Sequence, residues 1–121
     1  MMFKKEMAKL IFENKKHATR RLPSKKKYKV GSIQPIQTNY FEKAKGHIRI
    51  LKTYEQRLMD MTDKDAVEEG FDNIDVYFSY LVMINLKKFQ VMGITSTFSP
   101  EFLNLKPTVY EFELVTAFRN S

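Results

Sequence analysis

Residues Thr62–Phe78 read TDKDAVEEGFDNIDVYF, and they divide the chain into two kinds of text. Thr62 stands three residues ahead of Asp65, the spacing at which a threonine caps a helix, and Asp63 and Asp65 put negative charge where the helix dipole is positive. Gly70 is a helix terminator. Beyond it, Ile74, Tyr77, Phe78, Leu81, Val82 and Asn85 fall on one face, which predicts a second and principal helix over 74–86, packed on a sheet. Upstream the period changes to two. After Gly46, Ile48 and Ile50 face one way while His47, Arg49 and Leu51 face the other, predicting a strand that extends toward Leu58. Downstream, TVYEFELVTAF alternates Val109, Glu111 and Glu113 with Tyr110, Phe112 and Leu114, a strand with at least one buried face.

Nearer the start, Phe3, Met7, Leu10 and Ile11 form an apolar helical stripe over about 3–13, stopped at Asn14. A short strand is expected at about 17–22, broken by Pro23-Ser24. A further strand carries Tyr28, Val30 and Ile33, bulged at Gly31 and edge-like at Pro35. Between 87 and 106, Val91-Met92-Gly93-Ile94 reads as a short strand, and Ser99-Pro100 opens a helical turn that ends near Pro107. The pattern is α+β: five or six strands, an N-terminal helix, and a main helix after the acidic motif, arranged as one domain over 1–121 around a small curled sheet or barrel.

Composition narrows the function classes. The chain has 121 residues, no cysteine and two histidines, so a disulfide framework, a thiolate nucleophile and a zinc signature are all excluded, and no metal or other cofactor is expected. The longest apolar run, Tyr80–Ile84, is far short of a membrane span, which predicts a soluble protein, and the lack of cysteine makes a reducing, cytoplasmic home the expectation. The formal charge of +7 is uneven. Residues 1–30 hold eleven Lys and Arg against Glu6 and Glu13, whereas residues 62–121 hold five against nine acidic residues. Such asymmetry suits a polyanion docked on one face, and the opening helix is too short and lacks the Trp anchor that would favour membrane. A lysine-rich solubility surface is the plainer alternative.

The basic segment Lys15–Arg21, KKHATRR, raises a chemical question. On a strand Thr19 and Arg21 share a face while Arg20 points away, and Lys16 reaches Thr19 only if the chain turns at Asn14-Lys15. A threonine hydroxyl is a nucleophile only with a base beside it, and lysine is a base only when burial or neighbouring cations lower its pKa. The plainer alternative is a strand threonine beside a solvated lysine. Glu68 and Glu69 end the acidic helix at its negative pole, an unfavourable location that calls for a cationic partner such as the basic strand. Lys25, Lys26 and Lys27 beside Tyr28, with Tyr40 and Phe41 further on, interleave charge with rings, a pattern that fits unpaired RNA better than duplex. The isolated glycines supply no phosphate-cradling loop.

Taken in order, Lys16-x-x-Thr19-x-Arg21 after an N-terminal helix, TDKDAVEEGFDNIDVYF and the closing PTVYEFELV resemble the ASCH domain family, a branch of the PUA-like β-barrels, over about residues 3–115. The resemblance implies a PUA-like barrel that associates with RNA or a modified nucleoside in a basic cleft lined by Lys16, Thr19, Arg21 and Glu69. Arg20, Lys25, Lys26, Lys27 and Tyr28 are further ligand-binding candidates. Some small bacterial members hydrolyse the amide of N4-acetylcytidine with a lysine, a threonine and a glutamate, which fall here on Lys16, Thr19 and Glu69. Other members have been assigned ribonuclease activity. ASCH domains also occur within transcription cofactor proteins, so a protein-interaction module is a third reading. The chain departs from the family where Asn14 or Lys15 replaces a frequent glycine, and where 87–106 reads as an insertion.

Overall fold

In the computed structural model, which describes residues 1–22 and 25–115, the elements follow the order α1 (Lys5–Phe12), β1 (Ala18–Arg21), β2 (Ile33–Pro35), β3 (His47–Glu55), a 3-10 turn (Leu58–Asp60), α2 (Asp63–Glu69), α3 (Ile74–Ile84), α4 (Leu86–Val91), α5 (Pro100–Leu103) and β4 (Thr108–Val115). The strands form one antiparallel sheet in the order β1-β4-β3-β2. The α+β class is as expected. The expected barrel of five to six strands is not what forms: the described residues give four strands in an open sheet with β1 and β2 as its edges.

The missing strand length has local causes. Gly31 takes the left-handed φ of +86°, so the Tyr28–Pro35 stretch is regular only from Ile33, and Pro35 occupies the edge strand, where a missing N–H costs least. The apolar run at 91–94 is no strand either. It closes α4, with Gly93 at φ +76° and the Ile94 amide donating to Phe89 O at 2.8 Å. A four-residue apolar run has no period that separates a strand from a helix end. Pro23 and Ser24, expected to break β1, lie outside the described residues.

Two clusters make the core. Met7 and Ile11 of α1 pack on Ile36, Ile48, Ile50, Tyr110 and Phe112 of the sheet side. Leu58, Ala66, Tyr77, Phe78, Phe89 and Phe102 make the second cluster among the helices. The main helix α3 therefore packs on α2 and α4, where the sequence pattern placed it on the sheet. Phe71, just past α2, touches both clusters.

Candidate functional site

The site begins where two helices end. Asn14 takes φ +60°, the Lys15 amide donates to Leu10 O at 2.8 Å and the Asn14 amide to Ile11 O at 3.0 Å, so α1 ends in a left-handed cap. Asparagine tolerates that conformation better than other non-glycine residues. The turn delivers Lys16 inward and leads into β1. On the other side, Thr62 accepts from the Asp65 amide while Asp65 accepts from the Thr62 amide, a complete capping box that starts α2. Gly70, at φ +99°, ends it.

The end of α2 is seated on the start of β1. The His17 amide donates to Glu68 O at 2.7 Å, and Lys16 Nζ donates to Glu69 O at 2.9 Å. A cation on the orphan carbonyls of the last turn is where the helix dipole favours it. Lys16 Nζ also donates to Glu69 Oε1 at 2.9 Å, and Arg20 donates to Glu69 Oε2 at 2.8 Å, so one carboxylate holds two cations. Glu69 is 2% exposed and Lys16 4%. Thr19 and Arg20 are buried as well. Arg20, which strand alternation sends away from Thr19, curls back to Glu69 and also donates to Gln56 Oε1 at 2.6 Å, with Asp65 4.0 Å away. Burial lowers the Lys16 pKa from its ordinary value, and the Glu69 charge opposes that shift. Burial also lowers the Arg21 pKa, but a guanidinium stays charged. Arg21 donates to Met2 O at 2.7 Å and lies over the Phe3 ring at 4.9 Å.

These groups line a cleft of about 530 Å³ between the N-terminal segment, β1 and the α2–α3 connection. Lys16, Thr19, Arg20, Arg21, Glu69, Lys26 and Tyr28 all contribute to it. Lys25 and Lys27 are exposed and stand outside the lining. Sequence reasoning missed the aromatic residues Phe71, Tyr77 and Tyr80 and the lysines Lys4 and Lys88 of the lining. Tyr77 had a helical-face signal that reads as core, and its burial pushes its hydroxyl pKa well above the ordinary value. Gln56, which anchors Arg20, carries no sequence signal at all.

The sequence profile of the ASCH domain matches residues 1–115. The chain belongs to the ASCH domain family. Members of that family are generally associated with RNA binding. This ASCH domain superimposes on the ASCH domain structure from Lactobacillus crispatus JV V101 with a TM-score of 0.72 at 17% identity, covering 90% of this chain and 70% of that one. A protein from Enterococcus faecalis V583 gives a TM-score of 0.71 at 15% identity, covering 91% and 67%. At such identities the likeness establishes the fold alone. No curated protein matches the sequence. Among the described residues, no helix is long and apolar enough to cross a membrane.

Proposed function

We propose that this ASCH domain binds RNA or a modified nucleoside, with one nucleoside unit held in a basic cleft. The observation that carries this reading is the lining: Lys4, Lys16, Arg20, Arg21, Lys26 and Lys88 face one carboxylate, Glu69, whose oxygens are already taken by Lys16 and Arg20. Lys25 and Lys27 extend the positive rim outward from Lys26, and Tyr28 offers a ring. Phosphate contacts release counterions, so a short RNA should bind more weakly as salt rises, with a slope that lessens by about one on removing one rim lysine. A titration with no salt-dependent RNA binding would reject this reading in favour of a protein-interaction module.

One observation favours a second reading, hydrolysis of the acyl amide of N4-acetylcytidine. The Lys16–Glu69 contact of 2.9 Å forms one wall of the cleft that Thr19 also lines. A Lys16 amine neutral at the moment of attack takes the Thr19 proton as Oγ bonds to the acetyl carbon, and Arg21 faces the developing oxyanion. Collapse breaks the C–N bond, Lys16 returns the proton to the departing cytidine nitrogen, and water then releases acetate from Thr19. Glu69 orients Lys16 throughout. Cytidine and acetate release by the wild type, lost in Thr19→Ala while N4-acetylcytidine affinity stays within severalfold, is the expected result. Turnover retained by Thr19→Ala would reject the mechanism.

A further inference from the structure

The turn after β2 holds two rings in water for no reason of packing. Tyr40 is 85% exposed and Phe41 97%. The turn that carries them is nevertheless built: Asn39 Oδ1 accepts from both the Phe41 amide and the Glu42 amide at 2.8 Å. Such an Asx turn fixes the backbone so that the rings are displayed rather than folded back. The turn is also tied to the cleft. Gln37 exchanges backbone hydrogen bonds with the first segment, its amide donating to Met1 O at 3.0 Å and its carbonyl accepting from the Phe3 amide at 2.8 Å. Met2, Phe3 and Thr38 all line the cleft. Two residues of chain reach about 7 Å, so the Tyr40 backbone stands within about one nucleotide's reach of the cleft mouth. Exposed Lys43 and Lys45 follow the rings in sequence, with the exposed Glu42 between, so the segment just after the platform carries one net positive charge toward a phosphate backbone.

We infer that the Asn39–Glu42 turn is a base-stacking platform beside the cleft, and that the ligand is therefore a single strand of RNA, with one nucleotide in the cleft and the neighbouring base on Tyr40 or Phe41. This rests on the proposed nucleoside-binding cleft and adds the substrate class. Every base offers a π-face, so the platform supplies affinity without sequence preference, while the cleft selects the nucleotide it admits. A free nucleoside fills only the cleft and gains nothing from the turn.

The test compares two probes on three proteins: a pentanucleotide RNA and the corresponding 5′-mononucleotide, titrated by calorimetry into wild type, Tyr40→Ala/Phe41→Ala and Asn39→Ala. Both rings are solvent-exposed, so the double variant keeps its core. Pentanucleotide affinity should fall about tenfold or more in the double variant, toward the lower end of the range for losing one stacked base, with mononucleotide affinity unchanged. Asn39→Ala, which keeps the rings and loosens the turn, should lose a smaller part of the same increment. Unchanged pentanucleotide affinity in the double variant overturns the inference, and so does an equal loss for both probes. Binding of neither probe by wild type would remove the nucleoside-binding reading as well. Loss of phosphatidylserine-vesicle binding in the double variant, with RNA binding unaltered, would assign the rings to a membrane instead and overturn the inference.

Discussion

Replacing Glu69 by Gln removes one negative charge and leaves shape and volume nearly intact, so its effect isolates the electrostatics of the buried cluster. In the wild type Glu69 is hydrogen-bonded to Lys16 at 2.9 Å and Arg20 at 2.8 Å, and all three side chains are at most 3% exposed. The glutamine oxygen can still accept from one of them but neutralises neither. Breaking a buried pair by removing one partner costs about 3–5 kcal/mol, because the stranded charge keeps its desolvation penalty. Measured by urea unfolding at pH 7, that loss should move the midpoint down by roughly 2 M for a slope of about 2 kcal/mol/M. The loss should also depend on pH with a definite sign. Lys16 is held below its ordinary pKa by burial, and without the Glu69 charge it is held lower still. Between its folded pKa and about 10.5 the unfolded chain binds a proton that the folded one lacks, so stability rises with pH by up to about 1.4 kcal/mol per unit. Glu69→Gln should therefore recover part of its deficit between pH 7 and pH 10. Adding Lys16→Met should recover part of it at pH 7 by removing one stranded charge. A deficit below about 1 kcal/mol, or one that neither pH nor Lys16→Met alters, would refute the electrostatic account of the cluster.

Gly70→Ala should destabilise by at least about 1–2 kcal/mol, since a Cβ at φ +99° is strained and would lie 2.8 Å from Leu10 Cδ1; thermal unfolding of Gly70→Ala and of Gly70→Ala/Leu10→Ala separates backbone strain from the side-chain clash, and only the clash should be relieved. At Asn14, with φ +60°, glycine should be neutral or slightly stabilising and valine should cost about 1–2 kcal/mol in the same measurement. Burial first, and the Glu6 charge second, raise the Tyr80 pKa to about 12. Between pH 10 and 12 the folded state keeps a proton that the unfolded state loses, so stability falls across that window, and Tyr80→Phe should fall less steeply in urea titrations at those two pH values.

The parts of the fold that were legible are the ones written in neighbouring residues. The capping box of Thr62 and Asp65, the stop at Gly70, the stripe of α1 and the alternation around Ile48 and Ile50 all depend on contacts within a few positions. The site was half legible for the same reason: the unfavourable place of Glu69 on its helix implied a cationic partner, and the nearest basic strand supplied it. Pairing partners are not local information. Whether the Tyr28–Pro35 stretch lengthens a sheet depends on Ile50, whose carbonyl accepts from the amide of the left-handed Gly31 and whose amide donates to Ser32 O, and where α3 rests depends on Phe89 and Phe102 arriving from 87–106. Arg20 shows the limit most clearly, since alternation alone turns it away from the cleft, and only the long reach of its side chain to Glu69 and Gln56 brings it back.

The strand order carries a consequence for how the molecule comes into being. β4 lies between β1 and β3, yet of the described strands it comes last in sequence. As the polypeptide leaves the ribosome, the strand bearing Thr19 and Arg21 has no strand to pair with until residues 108–111 have been made, and loop closure over some ninety residues must precede any gain from those ladder bonds. Until then β1 is an unpaired, cationic edge in a crowd of RNA, its positive charge tending to keep nascent chains from adding to one another. Completion of the sheet is thus tied to synthesis of β4, and a product arrested before Thr108 keeps the residues of α2 that seat the start of β1 but has neither the β1–β4 nor the β3–β4 ladder.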